Sequence, residues 1–336
     1  MGTTGQRTLM HRNNDKESRS TLGGHRLASL LCMALAVGSL PLYAQQGPVR
    51  HVEVPVDQSG FHPTTAQDVT LSFDGMVATF KASSPMTVVM ESAGSRKTVT
   101  LPVEFNQFTS ARLYRPDRLV ISGMVNGDVW EVVIVDPEKG SVVDHFVCYS
   151  PAISPDGRYV AFVKFFPAHG VDSVEDHEML YDVALSPEQN RPPGIAHHLY
   201  LYLAGKVVFP PGLANRLGDN IDIGDVPAHM MASDGFFWND QSTSVVFADQ
   251  FRDEYAVVVV KIVNGAFTSD SASIPKQWIC PDITPCFEHL ARADFRTSPA
   301  RSIDVVFRGV NGTPAKETHV VILRNDSGRL AATPTK

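Results

Sequence analysis

The sequence predicts an all-β protein of the β-propeller type, with five or six blades, preceded by an N-terminal signal peptide. Three observations support this prediction. A nine-residue turn motif recurs along the chain, residues 1–44 have the pattern of an export signal, and turn-forming residues are frequent. The 336 residues include 23 Pro and 24 Gly, a density that favours many short strands over long helices.

The turn motif is clearest at residues 154–162, SPDGRYVAF, and residues 72–80 repeat its Ser, Asp, Gly and Phe at the same offsets. Weaker copies begin at residues 115, 239 and 298. Ser, Asn and Asp side chains can bond to the backbone that follows them, and Pro and Gly favour turn dihedrals. Because an apolar run follows the turn, each copy predicts a hairpin between two inner strands of a blade.

The spacing of the copies is that of a repeat protein. The first two steps are close to the 40–45 residues, roughly, of a four-stranded propeller blade. The third step is either two periods or one blade with an insertion, and the fourth is one blade with an insertion. We therefore expect one propeller domain over residues 45–336, with insertions near residues 206–236 and 275–295.

The motif resembles the WD40-like repeat of TolB-type propellers and of the propeller domains of prolyl oligopeptidases, over roughly residues 60–330. This resemblance implies the architecture, whereas propellers bind many kinds of ligand, so it implies no function. The hydrolase domain of the oligopeptidases needs a G-x-S-x-G elbow. The sequence contains no such string, and we expect that domain to be absent.

The N-terminal segment has the order of a secretory signal. Residues 1–26 hold five basic and two acidic groups, and the apolar run LASLLCMALAV follows at 27–37. We predict cleavage between Ala44 and Gln45, and a periplasmic or secreted protein. An uncleaved anchor is the alternative, although a spanning helix needs about 20 apolar residues. No other stretch approaches that length, so we expect no stable membrane span after signal removal.

The charge of the chain bears on its partners. The formal net charge is −7 even though the N-terminal segment is basic, so the predicted mature domain is acidic. Nucleic-acid binding depends on Lys and Arg contacts to phosphate, and we therefore exclude nucleic acid as a partner.

The cysteines predict one disulfide. Cys280 and Cys286 flank the short loop CPDITPC, and in an oxidising compartment this spacing favours a local bridge. A redox site would have C-x-x-C spacing, and a metal site would need two more ligands. Cys148 lies in an apolar stretch and is interpreted as a buried free thiol.

No catalytic, metal-binding or cofactor-binding residue is assigned from the sequence. Histidines cluster in Asp176-His177-Glu178, in His197-His198 and at His229, and a metal site would require several of them to converge. We interpret them instead as loop and strand-face residues. Chance alone supplies carboxylates that could form a glycosidase pair; examples are Asp68, Asp222, Asp225 and Asp294.

The sequence therefore favours an exported, non-catalytic binding propeller, monomeric, with a protein partner in the cell envelope. The alternative is a propeller hydrolase that acts on a glycan or another small substrate. The segment 206–236 is the least propeller-like, and long loops between rigid elements often carry function, although a passive surface loop is an equal alternative. We also expect residues 49–56 to supply the outer strand of the last blade and so to close the ring.

Overall fold

The computed structural model divides the chain into two compact units, Met1–Gln45 and Gln46–Lys336. Side chains are described for residues 68–126, 129–163, 178–191, 233–251, 254–280, 288–296, 302–309 and 317–335, and the backbone also for 52–53, 164, 206–207 and 230–231. All of these residues belong to the second unit.

The described strands form consecutive antiparallel groups, which we call sheets 1 to 5. Sheet 1 contains β2 (Val69–Phe73), β3 (Met76–Lys81), β4 (Thr87–Ser92) and β5 (Ser95–Thr100). Sheet 2 contains β6 (Gln107–Arg115), β7 (Arg118–Asn126), β8 (Val129–Asp136) and the first part of β9 (Ser141–Ile153). Sheet 3 contains the end of β9, β10 (Tyr159–Lys164), β11 (Glu178–Asp182) and β12 (Lys206–Val207).

The C-terminal part continues the same plan. Sheet 4 contains β13 (Met230–Met231), β14 (Phe237–Trp238), β15 (Ser244–Gln250), β16 (Glu254–Val263) and β17 (Ala266–Pro275). Sheet 5 contains β18 (Glu288–Phe295), β19 (Ile303–Gly309), β20 (Thr318–Arg324) and β21 (Leu330–Pro334). A 3₁₀ turn at Pro187–Asn190 and the short helix α1 (Lys276–Ile279) are the helical elements of the described part.

Strand β9 connects sheets 2 and 3 without a loop. Its first part pairs with β8, with Ser141 opposite Asp136, and its end pairs with β10, with Ile153 opposite Val160. Ser150, near the change of partner, has a positive φ of 46°. The last strand of one sheet therefore becomes the first strand of the next, which is how a propeller chain passes between blades.

Successive sheets pack face to face through four apolar clusters. Representative members are Leu71 and Ile121 between sheets 1 and 2, Val132 and Phe162 between sheets 2 and 3, Leu180 and Phe247 between sheets 3 and 4, and Val257 and Val305 between sheets 4 and 5. Alternate residues of one strand enter different clusters because side chains alternate across a strand. In β16, for example, Val257 faces sheet 5 and Val258 faces sheet 3.

This arrangement confirms the all-β prediction, since consecutive antiparallel sheets that pack face to face are the blades of a propeller. The outer faces of the two terminal sheets differ from the inner ones. Thr70 and Ser72 on sheet 1 are exposed, as are Arg292 and Arg308 on sheet 5. Within the described ranges no apolar cluster joins sheet 5 to sheet 1, so blade count and ring closure stay predictions.

The repeat motif forms hairpins where the sequence predicts them. It joins β2 to β3, β9 to β10 and β14 to β15, in each case the early strands of a sheet. Gly75, Gly157 and Ser242 occupy the same position of the motif and have positive φ values of 72°, 74° and 56°. The hairpin prediction is therefore confirmed for these three copies, including the fourth, in which Ser replaces Gly, whereas the turn of the fifth copy lies outside the described residues.

The prediction for the N-terminal strand is wrong. Strand β1 (Val52–Glu53) pairs with β6, with Val52 opposite Ala111. The outer strand of sheet 5 is β21, from the C-terminal end of the chain. The outer position beside β20 is therefore occupied by β21 and not by residues 49–56.

The remaining sequence predictions fall largely outside the described residues. Ala44, Gln45 and the apolar run at 27–37 lie outside them, as does most of the segment 206–236. The second predicted insertion, residues 275–295, contains α1 and β18. No helix in the described ranges is long and apolar enough to cross a membrane.

Candidate functional site

The carboxylates named from the sequence do not converge in the described structure. Asp68 is exposed and forms an ion pair with Lys81, and Asp294 is exposed and lies 2.9 Å from the Arg292 Nε. Both side chains are therefore neutralised at the surface. The following residues lie outside the described part: Asp176, His177, His197, His198, Asp222, Asp225, His229 and Cys286.

Two other carboxyl groups meet inside the protein, Glu178 at the start of β11 and Asp249 near the end of β15. Leu180 belongs to the cluster between sheets 3 and 4, and Glu178 lies on the same side of β11 because strand side chains alternate. By the same rule Asp249 faces that cluster together with Phe247. The two carboxyl groups therefore approach one another across the sheet 3–sheet 4 interface.

The described neighbours of the two carboxyl groups in register are apolar. Glu178 and Asp249 are both 0% exposed. Their partners in register are Val163 and Ala256, which are buried members of the same cluster. No N–H or O–H donor of the described residues contacts either carboxyl oxygen of Asp249. An ionised carboxylate without such donors is strongly disfavoured in a dry interior.

This environment favours the protonated form of Asp249. Burial raises the pKa of Asp249 well above its usual range, and the charge of Glu178 and a hydrogen bond to it act in the same direction. Two ionised carboxylates offer only acceptors, so a hydrogen bond between them requires one to be protonated.

The opposite end of the same interface is polar and carries the repeat motif. Arg158 donates to Asp182 through Nε at 3.2 Å and Nη2 at 3.0 Å. The Asp156 N–H donates to the Ser242 Oγ at 3.0 Å, which joins the motif hairpins of sheets 3 and 4. Trp238 donates from Nε1 to the Ala152 carbonyl at 3.0 Å. Donor–acceptor pairs thus join the two sheets at one end of the interface, and two buried carboxyl groups lie at the other end.

A second buried carboxylate, Asp144, differs from the pair in having donors. The Tyr181 hydroxyl donates to it at 2.7 Å, and the Arg191 guanidinium forms an ion pair with it. Its charge is compensated, and the contact joins β9 of sheet 2 to sheet 3. These contacts therefore have a structural role, which is to hold sheet 2 against sheet 3.

Cys148 is a free and buried thiol, as the sequence predicts. Burial raises the pKa of this thiol well above its usual range, with a smaller contribution from the charge of Glu131, so it is a poor nucleophile. His145 lies 2.7 Å from Glu131, but these two side chains face sheet 1 whereas Cys148 packs towards sheet 3. The three residues therefore do not form a nucleophile–base arrangement.

Cys280 follows α1 and is 8% exposed. Its predicted partner, Cys286, lies outside the described residues, so the bridge stays a prediction.

Sequence reasoning missed Asp249 and included Glu178 only as the third residue of a histidine-containing group. One signal was present: Asp249 stands at an inward position of β15, two residues after Phe247 and two before Phe251. An acidic residue in an otherwise apolar row of a strand indicates a buried charge that needs a partner. The identity of that partner, 71 positions away, was not accessible from local pattern.

Comparison with known proteins adds similarities of fold. No family model and no curated protein matches the sequence. A tricorn protease structure is 11% identical, with 78% of this chain and 28% of that chain covered and a TM-score of 0.35. A post-proline cleaving enzyme from Rickettsia typhi is 9% identical over 80% and 36% of the two chains, with a TM-score of 0.37. TolB from Acinetobacter baumannii is 12% identical over 80% and 55%, with a TM-score of 0.27.

The chain spans less than two thirds of the length of each of these structures. Because all three TM-scores are below 0.5, the class of this protein rests on its own sheets. These define an all-β chain of consecutive antiparallel sheets that pack face to face as the blades of a propeller do.

Proposed function

We propose that this protein is an exported, non-catalytic propeller that binds a protein partner in the periplasm or outside the cell. One observation favours a binding role over a catalytic role. The two carboxyl groups that converge, Glu178 and Asp249, are both 0% exposed, so a substrate cannot contact them in this conformation. A binding role requires only a rigid frame that presents loops, and the buried interfaces between the sheets supply that frame.

Export is the first part of the proposal, and it rests on the charge and hydropathy pattern of residues 1–44. We expect the protein in the periplasm or medium to begin at Gln45, or at its cyclised form. Mass spectrometry of the N-terminal peptide after cell fractionation measures this. An intact N-terminus recovered from the cytosol would contradict it.

The binding surface is the second part, and we place it on the segment 206–236. A photo-crosslinking residue introduced at Leu213 should give a discrete protein adduct in intact cells, and the same residue at Thr98 on the exposed strand β5 serves as the control. Adduct formation at both positions, or at neither, would contradict a specific surface on this segment.

A hydrolase that acts on a glycan or another small substrate is the second candidate, and it would require another conformation in which the buried carboxyl pair becomes exposed to substrate. A protonated carboxylic acid beside a second carboxylate is the combination that glycosidases use as general acid and base or nucleophile. The purified protein would be assayed against a panel of chromogenic glycosides. Turnover that is lost in both Asp249→Asn and Glu178→Gln would establish the hydrolase and refute the binding proposal.

A further inference from the structure

We propose that the side of β6 that faces away from β7 is a strand-accepting site, which binds an extended segment of a protein partner in competition with the chain's own strand β1. The site rests on the proposed binding function, since it specifies the form in which a partner presents itself. It is a different surface from the segment 206–236.

Strand β1 is an addition to a sheet that has its full set of strands without it. Sheet 2 contains four strands in β6 to β9, just as sheets 1 and 5 contain four, and β1 pairs on the remaining side of β6. It also comes from a distant part of the chain, because all of sheet 1 lies between β1 and β6 in the sequence. Detachment of β1 would therefore keep the pairing of β6 to β9 and make β6 an edge strand.

The side of β6 that β1 occupies has the chemistry of a sheet edge. Such an edge presents a row of backbone N–H and C=O groups to which another extended chain can pair. Strand β1 pairs there in antiparallel register, with Val52 opposite Ala111 and Glu53 opposite Ser110. Strand β6 itself extends over Gln107–Arg115. A longer extended segment can therefore pair with β6 at more positions than the two described for β1.

The side chains at the pairing positions define the residues that an occupant needs. Residues opposite each other in an antiparallel pair project to the same face of the sheet. Ala111 belongs to the apolar cluster between sheets 1 and 2, so the residue opposite it should be apolar. Ser110 is partly exposed, and its hydroxyl, 2.8 Å from the Ser122 Oγ, keeps capacity for a polar neighbour. An occupant should therefore place an apolar residue before a polar one, which is the order of Val52 and Glu53.

Detachment of β1 requires no movement of sheet 1. Residues 54–68 connect β1 to β2, and a connection of this length spans up to roughly 50 Å when extended. A partner segment binds only those molecules in which β1 is detached, so its apparent Kd is the intrinsic Kd divided by the detached fraction. If β1 is detached in about a tenth of the molecules, the apparent affinity is about tenfold weaker than the intrinsic one.

Fluorescence anisotropy on the full chain tests the site with a fluorescein-labelled synthetic peptide of residues 46–57 as the probe. The probe contains Val52 and Glu53, so its register on β6 is that of β1. In the double variant Val52→Pro, Glu53→Pro, the chain's own strand loses both backbone donors. We expect this variant to bind the probe at least about tenfold more tightly than the parent chain does.

A disulfide that holds β1 on β6 provides the reciprocal test. Opposite residues of an antiparallel pair have Cα atoms about 4.5–5.5 Å apart, within the range that a disulfide spans. The oxidised double variant Val52→Cys, Ala111→Cys should therefore keep the edge occupied. We expect it to bind the probe at least about tenfold more weakly than the matched control Ala111→Cys, in which β1 can still detach.

Three results would overturn the proposal. Equal affinity of the parent, the proline variant and the disulfide-locked chain would place the probe on another part of the protein. Absence of binding to a folded proline variant would show that β6 accepts no strand from a second molecule. A disulfide between two chains of the Val52→Cys, Ala111→Cys variant, detected by non-reducing electrophoresis, would show that β1 pairs with a second copy instead.

Two further features keep the outcome decisive. If the proline variant does not fold, the locked chain and its Ala111→Cys control carry the test by themselves, and equal probe binding to these two chains overturns the site. A specific adduct at Leu213 combined with no probe binding would support the proposed binding function and remove only the strand-accepting site.

Discussion

The substitution Gly157→Ala tests how tightly the repeat motif of sheet 3 is packed against sheet 2. Gly157 has a φ of 74° in the turn between β9 and β10. A Cβ atom there would lie 3.1 Å from the Tyr114 backbone N and 3.2 Å from the Tyr114 Cα, both in β6 of sheet 2. These are backbone atoms of a paired strand, so they cannot rotate away as a side chain can.

Gly75 provides a matched control. It occupies the same motif position in sheet 1 with a φ of 72°, and a Cβ built there has no atom within 4 Å. Gly75→Ala therefore introduces only the left-handed backbone strain of an L-residue, about 1–2 kcal/mol. Gly157→Ala adds overpacking between two sheets, typically about 1–3 kcal/mol. We expect Gly157→Ala to lower the free energy of unfolding by about 2–5 kcal/mol.

Urea unfolding followed by tryptophan fluorescence measures both variants against the parent chain. The difference between the two substitutions isolates the inter-sheet contact, because the backbone strain is common to both. Equal losses, within about 0.5 kcal/mol, would show that the hairpin is not packed on sheet 2 and would refute the reasoning.

Three further expectations concern stability. Ser242→Ala should lower the free energy of unfolding by about 1 kcal/mol, because it removes the acceptor of the Asp156 N–H. Ser242→Gly should lower it less, because glycine adopts the positive φ of 56° without strain. A larger loss in the glycine variant would contradict this expectation. Burial disfavours the ionised form of Asp249 in the folded protein, so the parent chain should lose stability as the pH rises above about 4, whereas Asp249→Asn should not. The unfolding free energy of the variant should therefore rise relative to that of the parent by up to about 1.4 kcal/mol for each pH unit. Parallel curves of unfolding free energy against pH would refute this expectation. The Cys280–Cys286 bridge should contribute about 2–3 kcal/mol, and non-reduced peptide mapping that finds two free thiols would exclude it.

Local chemistry made the blade hairpins predictable. A Ser or Asn that bonds to its own downstream backbone, followed by a residue in the left-handed region, is encoded within a few positions. Ser154 illustrates this, because its Oγ accepts from the Tyr159 N–H at 2.9 Å, and Asn239 likewise accepts from the Ser244 N–H at 3.0 Å. These bonds exist within the turn and need no distant partner, so the same string produces the same hairpin in different sheets.

Choices between distant partners were not predictable in this way. The alternating pattern around Val52 indicates a strand, but its pairing with β6 rather than with sheet 5 depends on which edges remain open after the rest of the chain has folded. The burial of Glu178 against Asp249 is decided in the same manner. Sequence places each of them in a strand, and only the packing of sheet 3 on sheet 4 brings the two carboxyl groups together.

The sequence by itself determined the class of this protein, an all-β chain of repeated hairpins, because strand alternation and turn bonding act over a few residues. It also indicated an acidic domain after a basic, export-like segment. Only the tertiary structure shows which sheet faces are buried, which charged side chains are paired and which carboxyl group favours its protonated form. The physical reason is that desolvation and charge pairing depend on atoms brought together from far apart in the chain, as the approach of Asp249 to Glu178 across two sheets demonstrates.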